Sequence, residues 1–424
     1  MSDALSFIGS LDTLSLIELF WFAVLFEVPR YGLGALIIIL ASIGARPQAK
    51  ACANKDASLS ILLAGHNEAA SLRRCIEALG EQTLAQGKNP NWQIVVVDDG
   101  STDNMSDIAR ALQKEGRVDE VLKLSQRGGK SAAINLAFSV CTGGIIIISD
   151  IDTTLDRDAL ERLLPYFDDP RVGAVGGTLE VRNAEASLVT RHQAIEYALS
   201  IGLGRRLSDL FGTLSIVSGA FGAFRRSAVE AVGGQDVEVG EDADLTMKLR
   251  RAGWRVTFAP DARALTNVPE TIVDLIAQRL RWDRGLVTIW SRKFRGEFNP
   301  ASASFRLSNV VALADILFFQ IVLALVFPAY LVWLWLSLGA MALPVFAATL
   351  IGYALMDGLL FMGAAFAGIG GAGRLIAYLP FYSLMQVTVM RAVRLFSIIQ
   401  ELVFRSSYRD PYVPGRVMDQ VERV

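Results

Sequence analysis

Two acidic pairs stand directly after strongly apolar runs. In WQIVVVDDGSTD, Asp98 and Asp99 follow three valines; in GGIIIISDIDTT, Asp150 and Asp152 follow Ile145 to Ile148. Carboxylates in such places have two available uses. Asp and Ser cap helices and turns, or the acids hold something charged. Two pairs gathered at one sheet edge would repel, and a divalent cation would relieve that. Mg2+ and Mn2+ are hard ions that prefer carboxylate oxygens and bridge to substrate phosphates. An Asp-x-Asp within a strand points both side chains to one face, because side chains alternate with period 2. Asp156 and Asp158 stand nearer the next helical stretch and are better placed to cap it, which leaves Asp150 and Asp152 for a ligand.

Three further segments carry chemistry. RGGKSAAIN sets two glycines and Lys130 at a helix start. That is either an ordinary flexible turn or an anion site, since helix N-termini favour anions and a lysine adds charge. The P-loop spacing is missing. VEVGEDADLTMKL puts Glu241 and Asp242 at another helix start, as dipole-favoured acids or as a general base. With only His66 and His192 in the chain, proton abstraction falls to a carboxylate or another residue type. TIVDLIAQRLRWDRGLVTIW is amphipathic and gathers Gln278, Arg279, Arg281, Trp282 and Arg284. Such a helix suits a membrane surface. Its arginines also suit phosphate, and its tryptophan the apolar face of a sugar.

The elements that must position these residues follow from the hydropathy pattern. LSILLAG (59–65), WQIVVVDD (92–99), GIIIISD (144–150) and VGAVGG (172–177) read as strands, separated by polar stretches with helical spacing. Continuous apolar strands alternating with helices imply a parallel sheet covered on both faces. Its ligands sit beyond the carboxyl ends of the strands.

The chain's 424 residues suggest two or three units. Lys+Arg 41 against Asp+Glu 43 lacks the basic excess of a nucleic-acid binder. The 2 His exclude a His-rich metal centre, and Cys52, Cys75 and Cys141 show no CxxC spacing, so neither a zinc site nor a disulfide framework is implied. A mean hydropathy of +0.38 is high for a soluble protein, and the apolar excess gathers at the two ends.

Residues 16–45 are mostly apolar but interrupted by Glu27, Pro29 and Arg30, which predicts one tilted or kinked span. No basic stretch precedes it, against a cleaved leader. Segments 315–338, 342–370 and 375–390 predict about three more spans. The division is 1–50 membrane or interfacial, 51–270 catalytic, 271–310 interfacial helices, 311–404 transmembrane and 405–424 tail. This count places both termini on the outer side, whereas Arg405, Arg409, Arg416 and Arg423 favour the cytoplasm. A 375–404 segment that lies in the interface or re-enters would reconcile the two.

Taken in order, Asp98-Asp99-Gly100, Asp150-Ile151-Asp152, Gly240-Glu241-Asp242 and Gln278-Arg279-Leu280-Arg281-Trp282 resemble the signature of the family 2 glycosyltransferases. More narrowly, they resemble the membrane-embedded synthases of cellulose, chitin, hyaluronan and poly-N-acetylglucosamine. GHNEAASL (65–72) is similar to that family's first-strand segment, GGKSAAIN (128–135) to its lysine segment, and VSGAFGAFRR (217–226) to its acceptor-lining segment.

The resemblance implies an α/β catalytic domain of GT-A, Rossmann-like fold. It further implies placement at the cytoplasmic face of a bacterial inner membrane and a nucleotide-sugar donor, UDP-linked in the first instance. It places Asn67, Glu68, Asp98, Asp99, Lys130, Asp150, Asp152, Gln278 and Arg281 at the donor, with Asp152 holding Mg2+ or Mn2+. Asp242 becomes the base for the acceptor hydroxyl, while Ser218, Gly219, Ala220, Phe221, Glu241 and Trp282 line the acceptor. Attack opposite the leaving diphosphate inverts an α-linked donor to a β-linkage. The acceptor is a growing glycan or, as in ceramide-type glucosyltransferases, a lipid. Membrane lipids and a second protomer or export partner complete the partner set. A transporter-like subunit, suggested by the intramembrane Asp357, is the reading from a different class.

Overall fold

The β-branched runs form the middle of one sheet. The computed structural model describes residues 6–7, 9–29, 32, 37, 57–86, 91–302, 305–366, 369, 372–410 and 412–419. Much of the first predicted span, residues 30–31, 33–36 and 38–45, lies outside the described residues, as does Arg423.

The strands are β1 (Leu59–Gly65), β2 (Trp92–Asp98), β3 (Glu120–Lys123), β4 (Ile145–Asp150), β5 (Thr154–Leu155), β6 (Val172–Val181), β7 (Phe221–Arg225) and β8 (Arg255–Thr266). Their order across the sheet is β3-β2-β1-β4-β7-β6-β8-β5. From β3 to β4 every pairing is parallel, as the sequence predicts. Beyond β4 the expectation fails, because β7 inserts antiparallel between β4 and β6, and β5 pairs antiparallel with β8. The sheet is therefore mixed.

Preceding the sheet is α1 (Thr13–Leu19); then come α2 (Ala69–Gly80), α3 (Met105–Lys114), α4 (Lys130–Val140), α5 (Ala159–Leu163), α6 (Leu188–Tyr197), α7 (Arg205–Leu210), α8 (Arg226–Val232) and α9 (Glu241–Arg251). Alternation along the strands feeds two cores. Leu59, Ile61 and Leu63 pack with Leu72 and Ile76 of α2 and with Met105 and Leu112 of α3. Leu62, Val95, Val97, Ile146 and Ile148 pack on the other face with Ile134 of α4 and Leu245 of α9. A strand buried on both faces has no polar side, which is why it reads as an unbroken apolar run.

The register fixes the crevice. Gly65 pairs with Asp98 across β1–β2, and Ala64 with Asp150 across β1–β4. The two acidic strand ends flank the end of β1. There the chain runs one way to β2 and returns on the other side to β4, the switch point where open α/β sheets bind ligands.

After the sheet come α10 (Ile272–Thr288), α11 (Leu307–Ile316), α12 (Leu323–Leu338), α13 (Ala342–Phe366), α14 (Leu379–Met385) and α15 (Arg391–Phe404). Among the described residues, one helical run, Leu307–Phe366, is long and apolar enough to cross a membrane. It turns at Gly339–Met341 with Gly339 at φ +53°. Leu334 then packs with Val345, and Tyr330 with Tyr353, so α12 and α13 lie antiparallel. Phe22 stacks on Tyr330, whose hydroxyl donates to the Leu19 carbonyl at 3.1 Å, tying the N-terminal segment to this hairpin.

Candidate active site

Between β1 and β2, hydrogen bonds stitch two loops together. Asn67 sits at φ +61°, and its Oδ1 accepts from the N–H of Thr102 at 2.8 Å and of Asp103 at 3.3 Å. A short polar side chain that tolerates left-handed backbone suits this position. Asp98 is fully buried; it accepts from the Ser101 N–H at 2.7 Å and from the Ser106 hydroxyl, with Lys123 at 3.7 Å. Burial would raise its pKa, but these donors hold it below the usual range. Asp99 accepts from the Gly128 N–H at 2.5 Å and the Gly129 N–H at 2.9 Å. Both sequence-predicted donor acids thus also carry local structure. Asp99 in particular sets the backbone of the lysine loop, where Gly129 takes φ +89° just before α4.

That loop aims Lys130 at β4. Its Nζ lies 2.5 Å from Asp150 Oδ1. Burial alone would lower the lysine's pKa, but Asp150, Tyr412 and Glu241 raise it, so the ammonium is charged. The Asp-x-Asp geometry differs from the strand expectation. β4 ends at Asp150, and Ile151 and Asp152 lie in a turn closed by the Thr153 N–H on the Asp150 carbonyl at 3.0 Å. Ile151 is buried, and Arg182 fixes the turn by donating to the Asp152 carbonyl at 2.8 Å.

The acids still converge. Burial and then Asp150 raise the Asp152 pKa. Burial, then Asp152, Asp150 and Asp103, push Glu68 up to about 7. Crowded, oxygen-only donors of this kind fit a hard divalent cation. Capping follows a different pattern from the expected one: the Asp156 carbonyl accepts the Ala159 N–H at 2.9 Å, and Asp158 pairs with Arg162 at 2.6 Å rather than capping with its side chain.

On the opposite wall, Asp242 Oδ2 receives the Gly219 N–H at 3.5 Å and Oδ1 the Ala243 N–H at 2.8 Å. Glu241 is buried beside it, and burial raises its pKa while Lys130 pulls it down. In the 218–221 segment, Phe221 departs from its predicted acceptor role. Its side chain is fully buried in the sheet core, where Gly177 makes room: a Cβ there would lie 2.1 Å from the Phe221 ring.

In α10 the motif residues divide by helical spacing. Arg279 pairs with Glu196 at 2.5 Å, Asp283 with Arg394 at 3.5 Å, and Arg284 with Asp410 at 3.2 Å. Gln278 Oε1 is buried without a partner. Trp282 is 39% exposed, with the Arg279 guanidinium 4.3 Å from its ring centre. Arg281 stands over Tyr412, 4.4 Å from that ring's centre.

Three residues here were missed by the sequence reading. Tyr412 comes from the tail, held over the crevice by Arg127 Nη2 on its carbonyl at 3.2 Å and by Arg416 on the Arg127 carbonyl at 2.7 Å. The charges of Glu241, Lys130, Asp150 and Arg281 all bear on its hydroxyl. The only local signal was the turn-forming DPYVPG. Arg127 directly precedes the two glycines of the lysine loop. Arg205 opens α7 with Nη1 buried and unpartnered, and it feels the Asp242 charge. A second acidic cluster, Asp236, Glu238 and Asp244, lies apart from these residues and is already filled by Lys293, at 2.7 Å from Asp236 and 2.6 Å from Asp244.

Residues 60–233 match the sequence profile of Glycosyl transferase family 2. That segment is similar to family 2 glycosyltransferase domains. The chain is 33% identical over 238 residues to the poly-β-1,6-N-acetyl-D-glucosamine synthase of Staphylococcus aureus strain COL, covering 56% of each chain. It is 29% identical over 267 residues to the corresponding synthase of Staphylococcus epidermidis, covering 62% of this chain and 63% of that one. The match therefore spans less than two thirds of these relatives. The mannosyltransferase PcManGT from Pyrobaculum calidifontis, solved with GDP-Man and Mn2+, superposes with a TM-score of 0.58 at 21% identity, over 91% of this chain and 99% of that one. The glycosyltransferase domain thus has the GT-A fold.

Proposed function

We propose that the chain transfers sugar from a nucleotide-sugar donor, UDP-linked, to the end of a growing β-linked polysaccharide at the cytoplasmic face of a bacterial inner membrane. The observation that carries this reading is the convergence at one sheet edge of the Lys130–Asp150 pair, the Asp152 turn and the Asp242–Gly219 contact. The similarity to poly-β-1,6-N-acetyl-D-glucosamine synthases supports a β-glycan product.

Lys130 at the α4 N-terminus and Arg281 receive the diphosphate, as helix N-termini and basic groups receive anions. Asp150 and Asp152 would hold Mg2+ or Mn2+, which when bound supplies charge neutralisation for the leaving diphosphate. Asp242 accepts the proton of the acceptor hydroxyl as that oxygen attacks from the face opposite the diphosphate, which inverts the anomeric centre. The Arg205 guanidinium lies within electrostatic reach of Asp242. Trp282 offers its exposed face to the acceptor sugar.

The apolar hairpin of α12 and α13 crosses the bilayer, while α15 lies along α10. Thr288 at the end of α10 and Arg292 in the turn that follows it both donate to Glu401 of α15, at 2.9 and 2.6 Å. The tail, in contact with the crevice, shares the catalytic side in this reading, the side that its arginines favour.

The test uses the whole chain purified in detergent, with a panel of UDP- and GDP-sugars and Mg2+ or Mn2+. Released nucleotide and sized product are measured. Asp242→Asn should lower turnover by about 100-fold or more and leave nucleotide affinity unchanged. A product of one sugar on a lipid would overturn the polymer assignment, and full activity of Asp242→Asn would move the base elsewhere.

A further inference from the structure

Lys130 holds Asp150 at 2.5 Å, inside a crevice that also contains Asp152, Glu241 and Asp242. The lysine side chain is only 16% exposed. Its position is built from several directions. Asp99 clamps the two N–H groups of Gly128 and Gly129 just before it. Gly219 backs it so closely that a Cβ there would stand 3.0 Å from Nζ. The Glu241 carboxyl also bears on it electrostatically.

We propose that Lys130 is an internal counter-ion, occupying Asp150 until a nucleoside diphosphate and a divalent cation arrive together, so that metal and nucleotide load as a coupled pair. This rests on the donor reading given above. An ammonium and a divalent cation cannot share one carboxylate oxygen cheaply, because like charges a few ångströms apart repel strongly in a partly desolvated site. Metal alone therefore meets an occupied ligand. A diphosphate at the α4 N-terminus offers the ammonium a new anionic partner. As Lys130 turns toward it, the Asp150 oxygen is released to the metal. Coupling of this kind is reciprocal: whatever factor the nucleotide adds to metal affinity, the metal adds to nucleotide affinity.

The experiment measures Mn2+ binding to the whole chain in detergent by electron paramagnetic resonance, with and without UDP or GDP. Wild type should bind Mn2+ alone weakly, and nucleotide should tighten it by about tenfold or more. Lys130→Met should bind Mn2+ alone about tenfold more tightly than wild type and keep little of the nucleotide effect. Its melting temperature, lowered in EDTA by the unneutralised acids, should recover in Mn2+. Lys130→Gln repeats the measurement should the Met variant fold poorly. Wild type also supplies a check free of variants, since Mn2+ must tighten UDP by the same factor. Folded Lys130 variants that bind Mn2+ alone no better than wild type, with nucleotide still enhancing wild type, would overturn the counter-ion role and leave the donor site standing. Wild type that binds no Mn2+ whether nucleotide is present or absent, together with a silent Asp152→Asn, would overturn both.

Discussion

The Arg281 guanidinium lies 4.4 Å from the centre of the Tyr412 ring, joining the QRLRW helix to the C-terminal tail. Arg281 is the motif arginine assigned to the diphosphate, so its orientation depends on a ring from outside the motif. A cation–π contact contributes roughly 0.5–2 kcal/mol. Tyr412→Ala is expected to raise the donor KM by roughly 2- to 30-fold, the range corresponding to that energy. Tyr412→Phe keeps the ring and should stay within about twofold of wild type. Steady-state kinetics on both variants check this, and equal losses would assign the effect to the hydroxyl instead.

Asp152 and Asp156 stand a few residues apart but have separate tasks. Asp156 serves β5 and α5 through its backbone, its N–H donating to the Arg263 carbonyl at 3.0 Å and its carbonyl accepting from Gln82 at 2.7 Å. Asp152→Asn should abolish the metal dependence of nucleotide binding. Asp156→Asn should change stability by about 1 kcal/mol or less and leave that dependence intact. Calorimetric titration with and without EDTA separates them, and matching effects would show the metal is placed wrongly.

His192 titrates at a structural position. It is fully buried, neither ring nitrogen has a partner, and it sits 5.2 Å from the Tyr382 ring. Burial, the largest influence, lowers its pKa from 6.5 to about 4. The unfolded chain therefore binds the proton first as pH falls. The stability this group contributes is complete above about pH 6.5 and is lost toward pH 4, amounting to about 3 kcal/mol. His192→Phe, which forfeits no hydrogen bond, should flatten the melting temperature across that window. An unchanged acid limb would assign the loss to carboxylates.

Arg292, in the turn after α10, pairs with Glu401 of α15, and Glu401 is fully buried. Removing only the cation strands a charge, which costs about 3–5 kcal/mol. Arg292→Met should lower the melting temperature sharply. Adding Glu401→Gln should recover most of it, because the amide still accepts from Thr288 and Ser407. No recovery in the double variant would mean that packing, not charge, dominates there.

Legibility in the sequence followed exposure of the backbone pattern. β1 and β4 were readable because both faces are buried and the runs are unbroken. β7 was not, since glycines dilute VSGAFGAFRR and it pairs antiparallel, against the rhythm of its neighbours. β8 hid behind Pro260, Asp261 and Arg263, which face away from the core or sit at the register shift opposite Gly177 and Thr178. The acids at strand ends were readable by type and place. The reason given for the Asp150–Asp152 pair was not the operative one: a turn, not strand alternation, brings them together. Tyr412 was beyond reach, because it meets the crevice through Arg127, 285 positions away in the chain.

The Arg127–Tyr412 hydrogen bond spans 285 positions of chain. During synthesis the N-terminal part of a protein emerges and folds first. The sheet can therefore form, acids and Lys130 included, long before residue 412 has been made. Its crevice acquires its last wall only after the apolar hairpin has been translated and put in place. Order of manufacture thus delays a finished site until the whole apolar hairpin has been made.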